Sequence, residues 1–356
     1  MGKLKFINKL LKTVVSLSML ILFFRGISFG QFVPPKKDRG IFGFMLENDV
    51  WLKQDEGYTN GIDFSWISPA LDENTTSSFL KFLFNLNRKI LKSGQEVQEH
   101  GQAEERETRW VAFSLFQVMC TPDDLTRADP IPVDRPYAGL LAVNTFLIRH
   151  SHRFQDVVGL TTGLVGPHSL AGKAQTWLHE TFDWTRPMGW ENQLKDEPVL
   201  NLWAGRTWKL LQNEDKKDGL KYGLKAGVNA RLGNLLTSAG GLLEFGVGRN
   251  FRPDLEVCSP APFFGYLSVG RVEEMSVFAF IRAEGQVVAR NLLLEGNTFV
   301  SSPGVKINRF LGQVTSGLGY RNAFSAACFY LVLKTKEFHG QSYYDPYVGL
   351  TFNLNL

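Results

Sequence analysis

Between Leu220 and Leu232 the chain alternates for thirteen residues: Leu220, Tyr222, Leu224, Ala226, Val228, Ala230 and Leu232 are apolar, and Lys221, Gly223, Lys225, Gly227, Asn229 and Arg231 are polar or glycine. A period of two makes a strand with one apolar face. Ordinary globular strands run about five or six residues, so this length fits a tilted strand with lipid on one side and a polar lumen on the other. The stretch from Val277 to Ala289 repeats the design, with Arg282, Glu284 and Gln286 opposite its apolar residues, although Phe278 and Phe280 break the polar face. The chain ends on a third such stretch, Val348 to Leu356, closing on Leu where barrels often carry an aromatic residue. Further candidates lie at 41–48, 58–67, 109–119, 137–149, 153–165, 199–210, 237–249, 310–321 and 324–334. With the weaker 263–270 set aside, the count is even, as bacterial barrels favour. The expectation is an all-β fold, a transmembrane antiparallel β-barrel of about twelve strands. A large soluble β-sandwich would also alternate but would not need strands a dozen residues long. Trp110, Tyr137, Trp208 and Tyr347, near strand ends, fit aromatic girdles.

The first 30 residues read as a secretory signal peptide: Lys3, Lys5, Lys9 and Lys12 precede an apolar run from Val14 to Phe24, and Ser28-Phe29-Gly30 offers a cleavage site. The barrel domain is then 31–356. Losing the segment's five basic residues turns the formal net charge of +4 into −1, so no clustered basic face speaks for nucleic acid. No later segment reaches 18 uninterrupted apolar residues, as a membrane-spanning helix would. Three cysteines, Cys120, Cys258 and Cys328, are an odd number that speaks against a disulfide framework, leave one bridge open, and suit small apolar positions.

Two stretches interrupt the strands. An insertion at 70–108 contains an apolar-rich helix from Ser77 to Leu91, suited to a membrane interface or to the barrel mouth. The second, a loop helix at 167–184, carries Leu170, Ala174, Trp177, Leu178, Thr181 and Phe182 roughly on one face. With both chain ends on the periplasmic side, the loops after strands one, three and five are extracellular. They hold Asn48 to Thr59, Thr121 to Arg135 and Pro167 to Trp190, which parity brings to one rim, and parity puts the 70–108 insertion at the other.

The first hairpin concentrates candidate chemistry. Glu47-Asn48-Asp49 ends one strand and Tyr58-Thr59-Asn60-Gly61 begins the next. Hard oxygen donors on a sheet edge suit calcium; the same residue types also make turns. Of the six histidines, His179 lies on the loop helix and His168 at its start, where it could serve the turn. No G-x-S-x-G elbow, H-E-x-x-H or paired-cysteine metal motif occurs. A histidine activating water beside a cation-binding acid stays open.

The motifs in order are Glu47-Asn48-Asp49, Tyr58-Thr59-Asn60-Gly61, Thr121-Pro122, Asp134-Arg135-Pro136-Tyr137-Ala138-Gly139, Gly166-Pro167, Gln175 with His179, and Gly189-Trp190-Glu191-Asn192-Gln193. In that order the sequence resembles the outer-membrane lipid A 3′-O-deacylases over most of its mature length. The resemblance implies a twelve-stranded barrel and a calcium-dependent esterase acting on lipid A of lipopolysaccharide in the outer leaflet, as a monomer in the membrane. It also implies a site on the outer face, between the wall and a loop helix. It puts the catalytic histidine at His179, the Asn–Asp pair at Asn48 and Asp49, and the threonine at Thr59. The family's lysine falls on Arg127, which keeps the charge and changes the geometry. Its acidic residue after the histidine falls near Thr185, a departure for which Asp183 or Glu180 would substitute; the expected metal ligands are Asp49, Thr59 and Asp183. A non-enzymatic barrel, channel or structural, is the alternative.

Overall fold

The computed structural model describes residues 39–49, 57–92, 107–213, 219–252, 274–341 and 346–356. The signal peptide, the weaker candidate at 263–270 and much of the 70–108 insertion lie outside them. Twelve antiparallel strands form a closed barrel in chain order. They are β1 (Ile41–Asn48), β2 (Gly57–Ile67), β3 (Thr108–Thr121), β4 (Ala138–His150), β5 (Phe154–Val165), β6 (Glu197–Gln212), β7 (Leu220–Gly233), β8 (Leu236–Arg249), β9 (Ser276–Asn291), β10 (Phe310–Arg321), β11 (Ser325–Lys334) and β12 (Tyr347–Asn355). Closure comes from β1 pairing β12, from Ile41↔Asn355 through Asn48↔Val348. A closed ladder leaves no strand edge in lipid, where an unpaired peptide group costs several kcal/mol. Each expected strand is present, with ends moved by one or two residues.

Alternation sorts the wall. Phe64, Leu115, Leu160, Leu202, Leu232 and Ile281 stand exposed on the outside, the surface a bilayer covers. The girdle expectation is corrected in part. Trp110 and Tyr347 share the inward parity and are buried, and Tyr137 is buried beneath Trp190. Of the four only Trp208 is exposed on the outside, joined near the same rim by Tyr222 stacked on Phe245 at 6.4 Å.

Inside, the middle of the lumen is crossed by a charge network. Glu244 accepts Arg282 Nε–H at 2.8 Å and sits 3.1 Å from Lys225 Nζ. The phenylalanines that broke the polar pattern of β9 have a steric reason. Phe278 lies across Gly319 of β10, where a Cβ would come within 1.9 Å of its ring, and Phe280 covers Gly317 in the same way. Bulky inward rings are accommodated because the facing strand has no side chain there. Towards the rim above β5, a short helix α3 (Leu292–Glu295) turns inward. Its Leu292, Leu293 and Leu294 join Val305, Ile307, Phe338 and Leu194 in one apolar core with wall residues Leu140 and Tyr330. Packed side chains thus fill that end of the barrel. Cys328, inward on β11, is in a disulfide, and Cys120 is a buried cysteine outside any disulfide; Cys328 is therefore no mere small apolar filler.

Beside this core Glu337 is 3.0 Å from Arg135 and 3.6 Å from Lys334. Burial pushes its carboxyl up, but the Lys334 and Arg135 charges outweigh burial and hold it below the usual 4.5. A depressed folded value adds stability above the unfolded pKa and loses it as pH falls through the folded one. Glu337→Gln is expected to cost on the order of 3 kcal/mol at pH 7, as breaking a buried pair does, and to lose this acid limb. Thermal unfolding followed by circular dichroism between pH 3 and 8 checks it.

The helix of the insertion, α1 (Ser78–Ile90), starts with Ser77 Oγ accepting Leu80 N–H. It lies against the outside of β3 and β4, burying Leu83 and Phe84 on Val111 and Leu147. Asn87 donates to the carbonyls of Trp110 (3.2 Å) and Ile148 (3.0 Å), and accepts Arg109 at 2.8 Å. Its other face leaves Phe79, Phe82 and Ile90 exposed, as a helix at a membrane interface does.

Candidate functional site

The ends of β1, β3 and β5 lie at the rim opposite α1, so the parity argument holds: Asn48, Thr121 and Gly166 leave the barrel together. From Gly166 (φ 113°) the chain makes a 3₁₀ turn over Pro167–Ser169 and enters α2 (Ala171–Phe182). A side chain at Gly166 would strike the backbone of Asp196. Ser169 Oγ donates to Gly166 O at 2.6 Å, and Gln117, outward on β3, donates to Ser169 O at 2.6 Å. Gly139 on β4 has no side chain where Ser169 and Ala171 press on the wall. Helix α2 is thereby seated on the outer face of β3 and β4.

The face it turns to the wall is Ala171, Gln175 and His179, all buried at i, i+4 spacing. The apolar face of the sequence reading is turned the other way: Leu170, Trp177 and Phe182 are exposed. A helix in water buries its apolar side, whereas one against lipid can turn that side outward and keep its polar side for chemistry.

Packing holds this polar face in place. Trp190 Nε1–H donates to Gln175 Oε1 at 2.7 Å, and its ring meets Tyr137 edge-on at 5.0 Å. Met119, Leu125, Tyr137, Ala171 and Trp190 form one buried cluster. Met188 N–H donates to Leu125 O (2.9 Å) and Asn192 to Ala128 O (2.9 Å), tying the segment after α2 to the β3–β4 loop. Trp190 was quoted as a motif residue without a role and Tyr137 was read as a girdle residue; their part is to fix the helix, and the aromatic residue following Gly189 was the available signal.

His179 is 2% exposed, with Trp184 edge-on at 5.5 Å. Its Nδ1 lies against the carbonyl oxygen of Thr185. A carbonyl only accepts, so Nδ1 carries the proton and Nε2 is the basic atom of the neutral ring. Thr185, where the resemblance expected an acidic residue, makes this contact through its main chain, so the contact does not depend on the side chain there. His168, by contrast, has 78% of its side chain exposed and pairs with Asp196 at 2.6 Å. Burial raises the Asp196 carboxyl, and the hydrogen bonds from His168 outweigh it to hold it below its usual range.

Asp49 is fully buried just after Asn48. Asn48 faces Asn60 across β1 and β2. The register of β2 on β3 shifts between Tyr58 and Asn60, making Thr59 the extra residue of a bulge, a device that re-aims side chains near sites; the Thr59 side chain itself lies outside the described part. Asn60 Oδ1 is buried without a hydrogen-bond partner among the described residues. A buried amide oxygen left without a donor among the described residues, paired with the residue that precedes the buried Asp49, fits a hard cation. Asp183 caps α2 in the left-handed conformation (φ 56°) and is exposed. Glu180 pairs loosely with Arg186 at 3.8 Å. Among the described residues no three His, Cys, Asp or Glu gather as a metal cluster. Arg127 belongs to the same loop group, with its side chain exposed.

A family model described as outer membrane protein LpxR matches residues 15–356. Among solved structures, LpxR from Salmonella typhimurium is similar at TM-score 0.68 and 15% identity, over 89% of this chain and 100% of that one. A bacterial polysaccharide outer membrane secretin aligns over 90% of this chain and 99% of that one, but at TM-score 0.30 and 9% identity, too low to argue from. No curated protein matches.

Proposed function

This chain belongs to the LpxR family of outer membrane proteins, and from that premise we propose that it is an esterase removing ester-linked acyl chains, at the 3′ position, from lipid A of the outer leaflet. One observation carries the reading: a buried histidine, with its basic nitrogen assigned by a main-chain carbonyl, held on the lipid-facing side of a barrel wall. The rim of α2 is then the extracellular one. Exposed Leu170, Trp177 and Phe182 lie beside the acyl chains, while the ester reaches the polar side of the helix.

In the proposed reaction His179 Nε2 takes a proton from water as the oxygen attacks the ester carbonyl. The Asn48 amide and the Arg127 guanidinium stabilise the oxyanion that forms. His179 then returns the proton to the departing sugar alkoxide, leaving a free fatty acid and a sugar hydroxyl. Asp49, Thr59 and Asp183 are the residues that would hold calcium. When bound, calcium supplies Lewis acidity towards the ester carbonyl.

The direct test incubates the purified barrel with lipid A in mixed micelles and reads the products by mass spectrometry. The expected result is loss of the mass of the 3′-linked acyl substituent. A chelator stops the reaction and added calcium restores it. Untouched lipid A, with calcium supplied and the barrel folded, would overturn the proposal in favour of a non-enzymatic barrel. The channel form of that alternative is disfavoured by the apolar core filling the α2 end of the lumen.

A further inference from the structure

On the outer wall, away from α2, an open groove of about 780 Å³ lies between the C-terminal end of α1 and strands β5 to β8. Strand register explains its floor. Val158 faces Ala204, Ala204 faces Ala230, and Ala230 faces Ala239. Next to this row run Leu160, Leu202 and Leu232, all large and exposed, so small side chains lie in a trough beside a ridge. The trough climbs the wall. Val158 is near the β5 end at the α1 rim, whereas Ala239 is near the β8 end at the α2 rim. Three inter-strand steps span roughly 15 Å across the strands. With strands tilted about 40°, about 10 Å of this is rise along the bilayer normal, which stays within one leaflet of the ~30 Å hydrocarbon layer.

Charge closes the lower end. Asp156 accepts Arg206 Nε–H at 2.6 Å and Nη2–H at 2.9 Å, and Arg149 Nε–H at 3.0 Å. Both guanidinium groups lie over the Phe154 ring, at 4.5 and 4.9 Å. Arg149 also pairs with Glu107 at 3.2 Å, and Arg109 with Glu107 at 2.6 Å. With Lys92, four cations face two carboxylates among the described residues at the edge of the apolar band. Two of these arginines are explained by helix docking: Arg109 donates to Leu91 O at 2.9 Å and Arg149 to Lys92 O at 2.7 Å. Arg206 instead binds Asp156 and keeps 42% of its side chain exposed at the groove mouth. Cations at the edge of an apolar surface call for an anion.

We propose that this groove binds an anionic glycerophospholipid of the leaflet on the α1 side. The headgroup phosphate sits on Arg206 and Lys92, and one acyl chain lies along the trough from Val158 to Ala239. The site is separate from α2, and its failure would leave the deacylase reading standing.

Native mass spectrometry of the full chain in detergent tests it, with phosphatidylglycerol and phosphatidylcholine of matched acyl chains as probes. The parent is expected to retain phosphatidylglycerol roughly fivefold better, the weight of about one basic contact at an anionic surface. Arg206→Gln should remove that preference. Ala230→Leu fills the trough at an outward position whose neighbour Leu232 is already large and exposed, so it is expected to fold and to weaken retention of both lipids. Heat-modifiable gel mobility verifies folding, and hydrolysis of lipid A is expected to stay at the parent level in both variants. Equal retention of the two lipids by the parent overturns the proposal. So does unchanged phosphatidylglycerol retention in either folded variant.

Discussion

Replacing His179 with alanine is expected to slow deacylation about a hundred- to ten-thousand-fold, the usual weight of a general base, while the barrel stays folded. The side chain lies at the wall under α2, and the helix keeps its seat through Ala171 and the Gln175–Trp190 contact. What disappears is the ring whose Nδ1 proton is held by Thr185 O. Asp49→Ala is expected to fall in the same range, through the cation rather than the base. His168→Ala is the internal control, because that side chain is largely in solvent and bonds Asp196. Initial rates on lipid A decide the matter: full activity in His179→Ala with loss in His168→Ala would assign the base to the wrong histidine.

A second large effect is expected from a residue that touches no substrate. A Cβ at Gly139 would lie 2.3 Å from Ser169 Oγ and 2.4 Å from Ala171 Cβ. The serine oxygen can rotate away, but the Ala171 methyl is fixed to the first turn of α2. The wall cannot recede either, since β4 is laddered to β3 and β5 on both sides. Gly139→Leu therefore lifts the helix and carries Gln175 and His179 with it. A displacement near 1 Å commonly costs about a hundredfold, so activity should drop by at least that much with the barrel intact. Gly285→Leu is the comparison, since a Cβ there meets nothing within 4 Å. Equal activity in the two variants would show that the seat of α2 is not needed.

The strands were legible because lipid outside and polar groups inside write a period of two along each of them. Leu220 to Leu232 was expected and Leu220–Gly233 is found. Where the lumen is filled by packing, the code fades. Phe278 and Phe280 looked like errors in β9 until Gly319 and Gly317 were found beneath them, and a pairing partner forty residues away has no local signature. The three leucines of α3 carry no period at all, so their place in the apolar core was not readable. For α2 the helical period and the apolar face were legible, but which face meets the wall was not, because periodicity gives two faces but not the solvent each one meets. Trp110 and Tyr347 misled for a related reason, since nearness to a strand end does not say whether a ring points out, and Tyr137 is covered by Trp190. In the candidate site His179, Gln175 and the Asn48–Asp49 turn were legible through family motifs, while the fixing role of Trp190 and the main-chain partner at Thr185 depend on the fold.

The seat of α2 on the outside of the wall has a kinetic consequence. A ligand of this site arrives sideways through the plane of the leaflet and not from bulk water. The proposed reaction should thus obey surface kinetics, with the rate following the mole fraction of lipid A in the bilayer or micelle. Diluting the whole suspension would change little, whereas diluting lipid A among inert neighbours would slow turnover. Lateral crowding, chain melting and the packing of neighbouring lipids then become determinants of its speed.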